Sequence, residues 1–391
     1  MANVLTNLAA DIYTAADTVG REAVGFIPSV TMNAEATRAA KGDTIRAAFT
    51  QAATVNNISE HMTIPQGDDQ TVDNAVMTLS KSRAVQIPYT GEDVLHLRNG
   101  AGYDTVYGDQ IAQAMRALTN EMEADLFTAA STGARYASSA VGTSPFAFSA
   151  SASGLSAVGD ARKQLIDSGC PMDDVSLVLN TAQGAAFRQV PSLLNVNQAG
   201  SDALQRQGVL LDVYGVAVRE SSKSANHTIG DLAGSVITDG ADAVGATSIA
   251  VDGGTSRKSI LAGDVVQFGG AGQKYVVGTG TADVSGGTIV LNGSGLSEAV
   301  GDGTAVAIEA THSKQVMFHR SAIELAMRAP ALPNGGDAAD DAIVIQDPHS
   351  GIVFEIRTYR GYRKSMIEVA ATWGVKAWKG DFIQQIVAPL G

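Results

Sequence analysis

The sequence has few of the residues on which many functional sites depend. It contains one cysteine, Cys170, among 391 residues, so no intrachain disulfide can form and Cys/His metal-binding spacings are missing. Aromatic residues make up 5% of the chain and charged residues 17%. A low charge content fits a protein that hides much of its surface in contacts with other copies of itself. The small aromatic fraction favours thin layers over a thick core.

The chain also lacks an excess of positive charge. Its formal net charge is −13 and its pI is near 4.8, which argues against a protein that grips nucleic acid by neutralising phosphates. Any DNA that it meets should be contacted weakly. No stretch approaches the roughly 18 apolar residues of a membrane span, and the start shows no secretory leader. We therefore expect a protein that is made and used in the cytosol.

Sequence motifs of enzymes are missing as well. There is no P-loop, Gly-x-Ser-x-Gly elbow, His-Glu-x-x-His or Cys-x-x-Cys. The adjacent carboxylates of Asp68 with Asp69, and of Asp173 with Asp174, are interpreted as solvated turn residues ahead of metal or acid–base pairs. The six histidines are scattered, although a triad built only by the fold stays open. We expect no enzymatic activity, no catalytic residue, no cofactor and no metal site.

The first part of the chain combines a helix with a long ribbon. Apolar residues recur at helical spacing over residues 7–24, and Pro28 ends that pattern. Residues 43–88 form β-type runs around a polar tip at 66–70, which predicts an extended hairpin. The stretch 51–80 contains no Lys or Arg. A ribbon of this kind is marginal alone and needs a surface to lie on.

The strongest helical pattern covers residues 104–130, where apolar residues alternate in steps of three and four. Such a helix would be about 40 Å long at about 1.5 Å per residue. A loop is predicted at 132–152, helices at 155–168 and 182–190, and strands at 175–179 and 211–219. This alternation is ordinary α/β construction.

The composition changes between residues 227 and 312, where glycine is crowded. Short β runs alternate with Gly, Asp, Asn and Ser turns, which predicts a small antiparallel barrel or sandwich inserted into a host domain. The host resumes with a run at 316–327, a flexible loop at 333–341 and strands at 352–359, 365–371 and 374–378. Basic residues concentrate in this last part. They can contact DNA or the acidic loops of neighbouring subunits, and the second interpretation is favoured.

The opening run of residues 5–30, LTNLAADIYTAADTVGREAVGFIPSV, resembles the start of coat proteins from short-tailed Salmonella-type phages. The order of elements resembles that family along essentially the whole chain, including LAGDVVQF at 261–268 in the glycine-rich block. The resemblance implies the α+β fold of tailed-phage major capsid proteins: an N-terminal arm, a hairpin called the E-loop, a peripheral domain with a spine helix, an axial domain and an inserted β-barrel.

On that resemblance the N-terminal arm is 1–42, the E-loop hairpin 43–95 and the peripheral domain with its spine helix 96–131. The first part of the axial domain is 132–226, the inserted β-barrel domain 227–312, and 313–391 returns to both main domains. The implied function is a major capsid protein that forms pentamers and hexamers of an icosahedral shell around double-stranded DNA. The shell would be assembled in the host cytoplasm and would mature from a procapsid.

The implied partners are other copies of the chain, a scaffolding protein, a portal and weakly contacted DNA, with no membrane. We expect the hairpin and a detached leading helix to be completed by neighbouring copies. Because the hairpin body has no lysine and Lys81 lies on its returning arm, we also expect shells without covalent cross-links. The candidate intersubunit contacts are Glu60, Asp68, Asp69, Asp73, Arg357, Arg360, Arg363 and Lys364.

Three alternatives stay open from the sequence. An encapsulin-like cellular compartment has the same fold but would carry a cargo-peptide groove and no DNA. An adhesin or surface-layer protein would need a secretion signal. An enzyme built around the inserted block would need motifs that the sequence lacks.

Overall fold

The computed structural model describes residues 6–22, 25–50, 55, 57–58, 60, 62, 72–99, 103–139, 155–194, 210, 212–270, 273–347 and 349–389. The helices in these residues are α1 (Thr6–Glu22), α2 (Gly91–Asn99), α3 (Tyr103–Gly133), α4 (Ser156–Asp167), α5 (Thr181–Phe187) and α6 (Pro191–Leu194). The strands are β1 (Thr31–Ala39), β2 (Thr44–Thr50), β3 (Val72–Thr78), β4 (Lys81–Thr90), β5 (Tyr136–Ser139), β6 (Val175–Asn180), β7 (Ala217–Ser221), β8 (Gly234–Thr238), β9 (Ser248–Gly254), β10 (Val265–Phe268), β11 (Lys274–Thr279), β12 (Gly287–Leu291), β13 (Val306–Ile308), β14 (His312–His319), β15 (Ile323–Pro330), β16 (Ala339–Gln346), β17 (Val353–Gly361), β18 (Lys364–Ala377) and β19 (Ile383–Pro389).

The long helix predicted over residues 104–130 is confirmed as α3. Its 31 residues correspond to about 46 Å. The helix is long because an apolar stripe at helical spacing lies against the sheets along its length. The stripe is buried and comprises Ile111, Met115, Leu118, Met122 and Leu126. The helices predicted at 155–168 and 182–190 are confirmed as α4 and α5, with α5 ending earlier, at Phe187.

One side of α3 packs against a sheet of six strands. Its order is β1-β15-β18-β17-β16, and β4 pairs with the opposite edge of β18. Two strands were predicted at 365–371 and 374–378, but β18 is continuous because β4 pairs with residues 364–373 and β15 with 372–377. The loop predicted at 333–341 is wrong at its end. Ala339 already begins β16, an edge strand held by pairing with β17.

The other large sheet has the order β7-β6-β14-β19-β5-β11-β12-β9-β8, and α4 and α5 share a core with β6. The strand predicted at 211–219 is wrong in its first half. Val213 and Val216 pair across a tight turn in which Tyr214 and Gly215 both have positive φ, so that β7 begins only at Ala217. The predicted run 316–327 is divided by the 3-10 helix Arg320–Ala322 into β14 and β15.

The glycine-rich block, residues 227–312, has its own hydrogen-bonded ladder and its own buried cluster of Val, Ile, Leu, Phe and Tyr side chains. Pairing runs from β8 through β9, β12, β11 and β10 to β13. The amide of Thr238 then donates to the carbonyl of Thr304 at 2.9 Å, which brings the last strand back beside the first. The block also joins the rest of the chain, because β11 pairs with β5.

The prediction that the leading helix α1 is detached and waits for a neighbouring copy is wrong. Its apolar side chains Ile12 and Val19 are buried in one cluster with the stripe of α3. The segment that follows α1 is also anchored to the body of the chain. The Phe26 ring stacks on Phe318 with centroids 5.7 Å apart and meets Phe127 edge-on at 5.9 Å. The chain's own spine helix therefore completes this segment.

Candidate functional site

The base of the hairpin formed by β2 and β3 is fixed to the chain's own body. The strands pair in register from Thr44 opposite Thr78 to Thr50 opposite Val72. Met77 and Leu79 are buried against Ala326 of β15. The amide of Gly42 donates to the Leu79 carbonyl at 2.9 Å, which closes the base. The hairpin therefore leaves the body in a defined direction.

The returning arm is clamped to the spine helix by charge. The Lys81 ammonium lies 2.8 Å from carboxylate oxygens of both Glu121 and Asp125. The other oxygen of Asp125 accepts a hydrogen bond from the Trp373 indole at 2.9 Å. The hydrogen bond from Lys81 holds the pKa of the Glu121 carboxyl below its ordinary value. Sequence analysis placed Lys81 on this arm but missed its partners.

The described residues beyond the paired part of the hairpin expose large apolar side chains. Val55, Ile58 and Met62 have exposed fractions of 94%, 101% and 107%. Glu60 lies among them and is also exposed. Asp68 and Asp69 lie outside the described residues, and the backbone of Asp73 in β3 pairs with that of Phe49 in β2. Three exposed large apolar side chains within residues 55–62 make this stretch a candidate interaction surface.

A basic turn, residues 360–364, joins β17 to β18. Tyr362 is 90% exposed, and Arg363 has a φ of 56° while its carbonyl accepts the amide of Gly91 at 3.4 Å. Lys364 is exposed, and Arg360 forms a solvent-exposed ion pair with Asp340 at 2.6 Å. A cleft of about 900 Å³ is lined by this turn and by the start of α2. Three of the predicted basic contact residues therefore share one exposed turn.

Arg357, the fourth basic candidate, lies in the interior instead. Its guanidinium donates to Glu355 at 2.8 Å and pairs with Asp337. Glu355 also pairs with Arg38 of β1 at 2.6 Å, so the network joins the N-terminal strand to β17. A buried charge needs such partners, since an unpaired one is strongly destabilising. Arg357 therefore stabilises its own chain and does not reach outward.

The N-terminal segment is anchored by a carboxylate that the sequence did not reveal. The buried Glu123 of α3 accepts the amides of Phe26 at 2.9 Å and Ile27 at 3.0 Å. Burial raises the pKa of this carboxyl above its ordinary value. Its only sequence signal is an acidic residue beside the apolar stripe, and nothing local indicates a partner 97 positions away.

Potential metal ligands and nucleophiles are spread out in the described parts of the chain. Among them no group of three or more His, Cys, Asp or Glu side chains could hold a metal ion. Burial raises the pKa of the Cys170 thiol to about 11, far from the range of a reactive cysteine. Asp173 and Asp174 lie in the turn before β6, where Asp174 has positive φ. None of the described helices is long and apolar enough to cross a membrane.

No family model matches the sequence, and neither does any curated protein. Several solved structures do match the chain. The capsid of cyanophage P-SCSP1u is 10% identical with a TM-score of 0.50, and the match covers 93% of this chain and 87% of that one. The bacteriophage PhiM1 mature capsid is 11% identical, with the same two coverages and a TM-score of 0.49. A virus-like particle from Pyrococcus furiosus is 7% identical at 0.45, covering 97% and 100%. The chain has the mixed helix-and-strand fold of tailed-phage major capsid proteins.

Proposed function

We propose that the chain is the major capsid protein of a tailed bacteriophage, which assembles into pentamers and hexamers of an icosahedral shell around double-stranded DNA. One observation carries the proposal: a hairpin fixed at its base exposes Val55, Ile58 and Met62 on a subunit that has a capsid fold. Covering these side chains removes apolar surface from water, and each copy in a ring can cover the hairpin of the next.

Charge supports the same arrangement. The hairpin contributes Glu60, Asp68, Asp69 and Asp73 without a lysine or arginine between residues 51 and 80. The basic turn contributes Arg360, Arg363 and Lys364. Contacts between these surfaces on different copies are exposed to water and individually weak, which allows misplaced subunits to leave. Many such contacts together make the shell kinetically stable.

The remaining partners follow from the same function. A net charge of −13 makes the subunit a weak DNA binder, so packaged DNA can move along the inner wall. A scaffolding protein and a portal would take part in assembly in the host cytoplasm. Maturation of the procapsid would be rigid-body rotation of subunits. The role is structural and not enzymatic.

The domain division is part of the proposal. The ladder from β8 to β13 returns to its first strand through Thr238 and Thr304, which supports an inserted β-barrel domain at residues 227–312. The long helix α3 would be the spine of the peripheral domain at 96–131. Residues 132–226 and 313–391 would supply the axial domain and complete the peripheral one, with 1–42 as the arm and 43–95 as the E-loop.

The test removes the exposed apolar side chains of the hairpin. The chain is expressed with a candidate scaffolding protein, and the particles are examined by sedimentation and cryo-electron microscopy. The triple variant Val55→Ser, Ile58→Ser and Met62→Ser should fold but lose shells. Val244→Ser, which changes an exposed valine of the glycine-rich block, is the matched control and should assemble.

Shells formed by the triple variant at the wild-type yield would contradict the proposed contact. A wild-type chain that stays a compact monomer at high concentration, with scaffolding protein present, would contradict the capsid function itself. Closed shells that enclose a cargo protein and no DNA would favour the encapsulin-like compartment.

A further inference from the structure

The glycine-rich block leaves the body and returns to it at one place. The amide of His227 donates to the carbonyl of His312 at 2.9 Å, and the amide of His312 donates back at 3.4 Å. The two imidazole rings lie side by side, tilted by 45°, with centroids 5.4 Å apart. We call this pair of crossings the neck. Both crossings of the chain are therefore marked by a histidine.

The His227 ring is fixed by a buried carboxylate. Its Nε2 lies 2.6 Å from Oδ1 of Asp264, and because a carboxylate only accepts, this nitrogen carries a proton. Asp264 is fully buried and also accepts the amides of Leu261 at 2.7 Å and Gly230 at 3.1 Å. The His227 side chain thereby holds the first crossing against the turn that precedes β10.

The His312 ring is buried in its neutral form. Its Nδ1 lies 2.7 Å from the Ala310 carbonyl and so carries the proton, while its Nε2 lies 3.3 Å from the side-chain amide nitrogen of Gln385. A bare Nε2 accepts from that amide. A second proton on the ring would face a donor, and the Gln385 amide would have to turn.

The charges around His312 do not favour a positive charge on its ring. Lys314, two residues further on the same strand, is buried, and burial lowers its pKa to about 8. His227 faces the ring from the other crossing. Asp264 and Glu309 are the negative groups nearby, but Asp264 is engaged by His227 and Glu309 by Lys274. Burial is the main cause that lowers the pKa of His312 to about 4; His227 and Lys314 act in the same direction, while the Ala310 carbonyl and Glu309 oppose them.

We propose that the neck is a proton-sensitive hinge, in which neutral His312 holds the two crossings together and its protonation lets them separate. The block stays attached when the neck opens, because it has other contacts with the body. Arg135 donates to the Gly295 carbonyl at 3.0 Å, and Asn292 donates to the Ala134 carbonyl at 2.9 Å. Strand β11 also remains paired with β5.

The direction of the pH dependence follows from proton binding. The closed neck holds His312 at a pKa of about 4, whereas an open neck returns the ring to its ordinary value of 6.5. The closed state therefore binds fewer protons, and its stability is complete above pH 6.5 and falls as the pH drops toward 4. Between pH 7.5 and pH 5.0 the opening equilibrium should increase about 30-fold.

The test is hydrogen exchange of the full-length chain at pH 7.5 and 5.0, corrected for the intrinsic exchange rates. Peptides that cover residues 225–231 and 309–314 should show the 30-fold increase in opening. His312→Gln should reduce this pH effect to less than about threefold. His349→Gln, which changes an exposed histidine elsewhere, should keep the full effect. If His312 had only a structural role, His312→Gln would raise exchange equally at both pH values.

A second measurement keeps the hinge testable if His312→Gln does not fold. Wild-type chain labelled at the histidine Cε1 carbon is titrated by NMR, and the His312 signal should titrate well below pH 6. Titration of His312 near 6.5, or neck exchange that is the same at both pH values, would overturn the proposal. Neither measurement needs shells, so failure of the hinge and failure of the capsid function are distinguishable.

Discussion

The leading helix α1 and the hairpin of β2 and β3 differ in where their apolar side chains lie, although both were predicted to require a neighbouring copy. Helix α1 buries Ile12 and Val19 against α3, whereas the hairpin leaves Val55, Ile58 and Met62 in water. A helix with one apolar stripe finds a matching stripe within its own chain. The exposed side chains of residues 55, 58 and 62 have no such surface to pack on within the described part of the chain.

The largest effect that sharpens this comparison is expected at Phe26, which follows the leading helix. Phe26→Ala should lower the free energy of unfolding by about 3–5 kcal/mol, because it empties a stacked site in a closed core. Chemical denaturation of the unassembled chain measures it. Tyr13→Ala, at a half-exposed position of α1, is the control and should change the value by less than about 0.5 kcal/mol. Equal losses in both variants would mean that this segment is not anchored to its own body.

A smaller loss is expected at the carboxylate that holds the same segment. Glu123→Ala leaves the buried amides of Phe26 and Ile27 without an acceptor and should lower the free energy of unfolding by about 2–3 kcal/mol. Glu123→Gln keeps one acceptor oxygen and should lose less. If the alanine and glutamine variants unfold at the same denaturant concentration, the two hydrogen bonds do not anchor the segment.

The smallest effect concerns the hairpin, where no covalent product is expected. The Lys81 ammonium is held by Glu121 and Asp125 of its own spine helix, so it is not presented to a neighbouring copy. Shells boiled in detergent should run as monomers on a gel, and Lys81→Met shells should give the same pattern. A ladder of oligomers from wild-type shells that disappears in the variant would show a cross-link through this lysine.

Sequence periodicity predicted the elements better than their surroundings. Helix α3 was found because its stripe repeats over many turns, and α1 was found for the same reason. The periodicity of α1 shows that one face is buried but does not say which surface buries it. Strand β16 was missed because its first residues are Ala and Asp, which favour strands weakly, and pairing with β17 overrides that preference.

The candidate contact residues show a similar limit. Alternation along a strand puts Arg357 on one face and does not reveal that Glu355 and Asp337 enclose it. The sequence indicated Arg360, Arg363 and Lys364 only as part of a basic C-terminal region, and the structure brings them together at one exposed turn between β17 and β18. The partners of Glu123 and His312 are far away in the sequence, so no local pattern indicates them.

Helix α3 holds three parts of the molecule along its C-terminal half. Glu123 grips the N-terminal segment, Glu121 and Asp125 grip the returning arm of the hairpin, and the last carbonyls accept Asn292 of the glycine-rich block. A helix resists bending over the roughly three turns from Glu121 to Thr132, so it transmits displacement instead of absorbing it. A neighbouring copy that pulls on the hairpin therefore also pulls, through α3, on the contact between the glycine-rich block and the C-terminal end of this helix.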